Sequence, residues 1–175
     1  TNLTSTVTAS GCTVSSGACG VSGSTTTAVT FSSIPGTYNQ IQIVVFGEST
    51  ASAYAPITFN GDTSAHYALM GFYQTSTSNP LANTVASATS CALGQLYPTL
   101  ASTFTVDIPF YANTTFPKVA QSRSSAFASI STLSSNQYQD VSCTWNQTTA
   151  ITSVTITMAS GDMVAGSQFE ILGQN

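Results

Sequence analysis

Apolar and polar residues alternate with a period of two along much of the chain, which is the pattern of β-strands with one buried face. The run Val154–Met158 sets apolar side chains against threonines, and Ile41–Phe46 and Phe104–Phe110 alternate in the same way. Turns rich in Gly, Pro and Asn separate such runs, and helix-favouring residues are scarce. The other segments that favour strands are Thr27–Phe31, Ile57–Phe59, Tyr67–Phe72, Leu93–Tyr97, Val141–Trp145 and Gln168–Leu172.

These segments predict an all-β fold, an antiparallel two-sheet sandwich of jelly-roll type with about ten strands. The length of 175 residues suits one domain, and we expect the sandwich to occupy residues 27–175. Residues 1–26 are rich in Gly, Ser and Thr and poor in large apolar groups, so they predict an N-terminal arm or loop with one candidate strand at Ser5–Thr8. The polar stretch Gln74–Ser90 predicts a long loop.

The composition excludes several classes of partner, because only 5% of residues are charged, with two Lys or Arg against six Asp or Glu. Two basic groups cannot neutralise a run of phosphates, so we expect no binding to nucleic acid or to an anionic membrane surface. No apolar run approaches the roughly 18 residues of a membrane span. Sheet edges are commonly protected by charged side chains. Their scarcity favours a permanent assembly with copies of the same chain, the alternative being that hydroxyl-rich faces suffice.

The sequence predicts no enzymatic activity, no cofactor and no metal site. His66 is the single histidine, no Gly-x-Ser-x-Gly motif surrounds a serine, and the cysteines lack zinc-site spacing. The turn Asn60-Gly61-Asp62 is a weak candidate for calcium that hairpin chemistry explains equally well. Glycoside hydrolysis needs two carboxylates, and nothing in the sequence pairs any two of the six candidates. These are Glu48, Asp62, Asp107, Asp140, Asp162 and Glu170.

The four cysteines allow two disulfides. Cys12 and Cys19 lie seven residues apart, so a bridge between them would close a small loop in the predicted arm. Cys91 and Cys143 either pair across strands or lie buried as small apolar groups.

A series of short motifs runs through residues 27–173 in a fixed order. A "F-x-S-I-P-x-x-Y" opening is followed by "F-N-G-D" and a tyrosine, then by a lysine, a tryptophan and a closing "G-S-x-F". In this order the motifs resemble those of a family of tailed-bacteriophage virion proteins. The residues that carry the resemblance are Phe31, Ile34, Pro35, Tyr38, Phe59, Asn60, Gly61, Asp62, Tyr67, Lys118, Trp145, Gly166 and Phe169.

The resemblance implies a β-sandwich that assembles in the host cytoplasm and is displayed on the outer surface of the virion. The expected function is that of a capsid decoration, or cement, protein that reinforces the shell as a homotrimer. Its expected partners are the major capsid protein or other virion proteins. The N-terminal arm would then clasp a neighbouring copy. The alternative is a tail-fibre or receptor-binding module that recognises glycans of the host surface.

Overall fold

The computed structural model of the chain describes residues 1–75, 81–131 and 136–175. Every regular element in these ranges is a β-strand, and there are fourteen of them. In chain order they are β1 (Thr8–Ser10), β2 (Thr13–Ser15), β3 (Ala18–Gly20), β4 (Ala28–Ser32), β5 (Gln40–Gly47), β6 (Ala53–Phe59), β7 (Tyr67–Thr75), β8 (Leu81–Ala88), β9 (Cys91–Leu96), β10 (Ser102–Pro109), β11 (Lys118–Ala126), β12 (Gln137–Trp145), β13 (Ser153–Thr157) and β14 (Gln168–Gln174).

The strands form two antiparallel sheets, which confirms the predicted sandwich. The smaller sheet has the order β1-β4-β13-β6-β9, and the larger has the order β2-β3-β14-β5-β10-β11-β12-β7-β8. All segments predicted to be strands lie within or overlap β4, β5, β6, β7, β9, β10, β12, β13 or β14. The strand count exceeds the expected ten because β2, β3, β8 and β11 were not predicted. The candidate strand Ser5–Thr8 overlaps β1 only at Thr8.

The core lies between the two sheets and is built from the apolar positions of the alternating runs. Phe31 and Ile156 of the smaller sheet are fully buried, and so are Ile43, Val106 and Ile171 of the larger one. Their polar neighbours along each strand face outward. Burial of these β-branched and aromatic side chains supplies most of the favourable free energy of folding.

The prediction that residues 1–26 form a separate arm is wrong. Strand β1 pairs with β4 and β3 pairs with β14, so the segment adds to both sheets of its own chain. Leu3 and Val21 are buried, and the backbone N–H of Leu3 donates to the carbonyl of Ile171 at 2.8 Å. Isolated apolar residues among Gly and Ser show no periodicity, so only the pairing with distant strands reveals the three short strands.

The predicted loop Gln74–Ser90 is also wrong where the structure describes it. Strand β7 continues to Thr75 and Leu81–Ala88 forms β8, while residues 76–80 lie outside the described ranges. The Ala, Asn and Ser of β8 have weak β-propensity, and pairing with β7 overrides it. Strand β11 was missed because its inward residues include the small Ala120 and Ser122, which give little hydrophobic contrast.

Both pairs of cysteines form disulfides. Cys12 and Cys19, a pair that the sequence allows, join the β1–β2 turn to β3 with 5.4 Å between their Cα atoms. Cys91 of β9 and Cys143 of β12 are 5.9 Å apart at Cα and connect the smaller sheet to the larger. Of the two alternatives for Cys91 and Cys143, the structure thus selects pairing. The described ranges contain no helix long and apolar enough to cross a membrane.

Candidate functional site

The "F-N-G-D" motif forms a tight turn after β6 that holds the loop before β13. Asn60 and Gly61 have positive φ angles of 52° and 69°, a conformation that Asn and Gly tolerate. The Asn60 Oδ1 accepts hydrogen bonds from the backbone N–H groups of Thr152 at 2.8 Å and Ser153 at 3.0 Å. Its Nδ2 donates to the carbonyl of Ala150 at 2.8 Å. The Asn60 backbone N–H also donates to the carbonyl of Ser153 at 3.0 Å, so the Asn60 side chain adds to the backbone pairing between the two segments.

Asp62 is the acceptor at the centre of a hydrogen-bonded cluster. Its Oδ2 accepts from Trp145 Nε1 and from His66 Nδ1, both at 2.8 Å, and its Oδ1 accepts from the Ser64 N–H at 2.9 Å. The Trp145 bond, followed by those from His66 and Ser64, holds the pKa of Asp62 well below its usual range, although burial opposes this. These N–H donors occupy both carboxylate oxygens, which favours the hairpin interpretation of the turn over a calcium site.

Three aromatic rings pack behind Asp62 and connect the two sheets. Phe59 lies at the end of β6, and Tyr67 and Trp145 pair across β7 and β12. Their ring centroids are separated by 5.7 to 6.4 Å. The Tyr67 hydroxyl donates to the Asp62 carbonyl at 2.9 Å and accepts from the Phe59 N–H at 3.0 Å. Burial raises the pKa of Tyr67 to about 12, so it remains a neutral donor.

The remaining motif residues have mainly packing roles. Phe31, Ile34 and Phe169 are buried in the core. The carbonyl of Pro35 accepts a hydrogen bond from the Tyr111 hydroxyl. Gly173 lies so close to the Tyr38 ring that an added Cβ would be 2.7 Å from it, and Gly166 has a positive φ of 95°. The structure therefore gathers Phe59, the Asn60-Gly61-Asp62 turn, Tyr67 and Trp145 at one end of the sandwich, where Lys118 is the cross-strand partner of Trp145.

Lys118 is buried beneath the loop that connects β10 to β11. Its Nζ donates to the carbonyls of Phe116 at 2.9 Å and Thr148 at 3.1 Å. Burial lowers the pKa of Lys118. Over the described ranges, the ion pairs are His66–Asp62 and Arg123–Asp140, so Lys118 has no carboxylate partner. The ammonium group thus serves to hold the two carbonyls of adjacent loops.

This loop presents two phenylalanines to solvent, and we call residues 110–117 the aromatic tip. Phe110 and Phe116 are each 68% exposed. Phe110 has a φ of 48°, which is rare for a bulky residue, and Asn113 Oδ1 accepts from the Phe116 N–H at 3.1 Å. The two rings border an open pocket of about 430 Å³, which Pro109 and Val119 also line. Sequence reasoning missed the aromatic tip, whose signal was two phenylalanines beside prolines.

The outer face of the larger sheet carries a second group of polar side chains. Asp107 Oδ1 accepts from the Nε2 atoms of Gln40 at 2.9 Å and Gln42 at 2.8 Å. Arg123 Nε lies 3.6 Å from Asp140 Oδ2. Asp107, Gln121, Arg123 and Asp140 line a shallow pocket of about 370 Å³. This polar pocket gathers three of the chain's eight charged side chains on one sheet face.

Comparison with known proteins does not identify a family. No family model matches the chain, and no curated protein matches it. A crystal structure of a protein of unknown function from Shewanella oneidensis MR-1 aligns over 98% of this chain and 77% of its own, with 10% identity and a TM-score of 0.24. An alginate lyase in complex with an alginate tetrasaccharide aligns over 95% and 88%, with 9% identity and a TM-score of 0.26. Both TM-scores are too low to carry an argument.

Proposed function

We propose that this chain is a structural protein of a bacteriophage particle. In this proposal it decorates the outer surface of the capsid as a homotrimer and reinforces the shell through contacts with the major capsid protein. The ordered motifs of residues 27–173 support the virion assignment, and the small number of charged groups supports a surface that is covered by neighbours. The N-terminal segment pairs within its own chain, so the proposal does not assign it the clasping of a neighbour.

The observation that carries the docking part of the proposal is the aromatic tip. Two phenylalanines that are 68% exposed lie on one hairpin loop, and exposed apolar groups held together commonly mark protein interaction sites. The loop is held in place by Lys118 from below and by the Asn113 side chain. Such a rigid loop loses little entropy on binding, which suits it to insert both rings into an apolar depression of the shell.

Several weak contacts are sufficient for tight attachment in this arrangement. Each copy of a trimer would bring one aromatic tip to the shell, and binding of the first tip raises the effective concentration of the others. A symmetric trimer also limits assembly to a closed number of copies. Reinforcement then follows because one trimer contacts several capsid subunits at once.

Substitution of both Phe110 and Phe116 by serine is expected to reduce occupancy on the particle at least tenfold. Each buried ring contributes about 1–2 kcal/mol to an interface, and the loss is repeated in every copy. The measurement is co-sedimentation of the purified variant with particles of the encoding phage that lack the wild-type protein. The melting temperature should change little, because both side chains are exposed.

The matched control is Phe46→Ser, which removes a ring that is 54% exposed on the outer face of β5. It should leave occupancy unchanged. Equal occupancy of the double variant and the wild type would contradict docking through the aromatic tip. A particle reconstruction without density for this chain would contradict the virion proposal itself.

The polar pocket favours a second candidate, a module that binds host-surface glycans. Carboxylate, guanidinium and amide groups around Asp107, Arg123 and Asp140 can hydrogen-bond vicinal hydroxyls, and the exposed rings of Phe72 and Tyr138 lie on the same sheet face. The two acids outnumber the single Arg in this pocket, so electrostatics favour a neutral glycan over an anionic one.

For this candidate, a glycan array probed with the purified protein should show saturable binding to neutral oligosaccharides. Arg123→Ala should abolish that binding, whereas Arg123→Lys should retain part of it. The control is Val119→Ala, an exposed position on the same strand, β11, that does not line the polar pocket. An array without any saturable signal would eliminate the glycan candidate and leave the decoration proposal intact.

A further inference from the structure

Strand β8 is the one long exposed edge that the described residues of the sandwich present. Among them β8 pairs with β7 and with no other strand. The edge strands β1 and β2 have three residues each, and every residue of the edge strand β9 is at least partly buried. Strand β8 has eight residues, none of them charged and none proline. Its register with β7 shifts between Val85 and Ala88, where Ser87 has a φ of 53°. The regular part, Leu81–Val85, therefore lacks the charges, prolines and bulges that usually prevent an edge from pairing with another chain.

Exposed apolar side chains lie on both faces of the sheet at this edge. Leu81 and Val85 are 47% and 42% exposed on one face. On the opposite face, Met70 and Phe72 of β7 are 64% and 46% exposed and lie directly beside Thr84 and Ala82 of β8. A strand added to β8 would cover part of both apolar rows while it satisfies the unpaired backbone groups of the edge.

We propose that β8 pairs antiparallel with β8 of a second copy of this chain, about a two-fold axis that passes beside Asn83. In this register Leu81 of each copy lies opposite Val85 of the other, and Ala82 lies opposite Thr84. Two apolar cross-strand pairs then form on one face, where such pairs stabilise a sheet. An axis at Thr84 would instead place Leu81 opposite Ser87, which has an irregular φ of 53°.

A second copy fits this edge because the contact is self-complementary. An isologous contact uses both free edges at once, so it closes after two copies and leaves no edge for further growth. This inference rests on the self-association in the proposed function, to which it adds a two-fold contact alongside the expected three-fold one. Its test is made in solution without particles, so failure there leaves docking through the aromatic tip unaffected.

The test is the native mass of the full chain by light scattering over a range of concentrations. The native mass of the wild type should be an even multiple of the chain mass of 18.0 kDa. Val85→Lys should halve that mass, since it places a charge opposite Leu81 twice in each contact. Phe46→Lys is the control, because Phe46 is 54% exposed on β5, which lies inside the same sheet between β14 and β10, and the mass of this variant should equal that of the wild type. A wild-type monomer or isolated trimer, or an unchanged mass for Val85→Lys, would overturn the proposal.

A double variant tests the register. Leu81→Glu combined with Val85→Lys sets opposite charges across the axis and should restore the wild-type mass. Leu81→Lys combined with Val85→Lys should stay at the halved mass. Residues 81 and 85 of one strand are separated by about 13 Å, so restoration cannot come from a pair within one chain. Failure of the Glu/Lys variant to associate would overturn the register at Asn83.

Discussion

Replacement of both Cys91 and Cys143 by alanine is expected to lower the free energy of unfolding by about 4 kcal/mol. The bridge closes a loop with a sequence separation of 52 residues and ties the smaller sheet to the larger. Without it, the unfolded chain regains the loop entropy that the bridge removes, and the cost of closure grows with the logarithm of loop length. Both sulfur atoms lie in fully buried residues, so their removal also weakens packing between the sheets.

The second disulfide provides an internal comparison for this effect. Cys12 and Cys19 are separated by seven residues, and the same relation gives about 2 kcal/mol for the Cys12→Ala, Cys19→Ala variant. Urea unfolding followed by circular dichroism should therefore show a larger decrease in the midpoint urea concentration for the Cys91→Ala, Cys143→Ala variant, which opens the longer loop. Equal decreases in the free energy of unfolding for the two variants would mean that loop entropy does not account for the stability that the disulfides contribute.

The alternation of apolar and polar residues was sufficient to predict nine strands, because each buries one face against the opposite sheet. The missed strands lack a row of large apolar side chains on one buried face. Strand β8 has both faces partly exposed, and β11 turns Ala120 and Ser122 toward β9. Strands β1 to β3 are three residues long, so alternation cannot be detected. Long-range pairing determines these elements, and a single sequence contains no local signal of it.

The candidate site could be predicted only where its structure is determined by residues adjacent in the sequence. The "F-N-G-D" turn was recognised from its residues, and Asn60 and Gly61 do adopt its left-handed conformation. That Asp62 contacts Trp145, 83 residues away, could not be read from spacing. The polar pocket was missed for the same reason, because Arg123 and Asp140 become neighbours only through the pairing of β11 with β12.

Asp62→Ala is expected to lower the free energy of unfolding by about 3 kcal/mol at neutral pH. The substitution removes a charged acceptor and leaves the Nε1–H of Trp145, a residue that is 2% exposed, without its partner. Asp162→Ala is the matched control. The Asp162 carboxylate accepts a single side-chain hydrogen bond, from the exposed Thr25 hydroxyl. This substitution should therefore lower the free energy of unfolding by no more than about 1 kcal/mol.

The pH dependence of the Asp62 effect distinguishes a charged acceptor from simple packing. Its hydrogen bonds depress the pKa of Asp62 in the folded protein, whereas an unfolded Asp titrates near about 3.9. The stabilisation is therefore complete above the unfolded pKa and declines as the pH falls from about 4 toward the folded value. Asp62→Asn has no charge to titrate, so the difference between wild type and Asp62→Asn should be constant from pH 7 to pH 5 and shrink below pH 4. A difference that stays constant down to pH 2 would show that Asp62 contributes by shape alone, because only an ionised carboxylate loses its advantage on protonation.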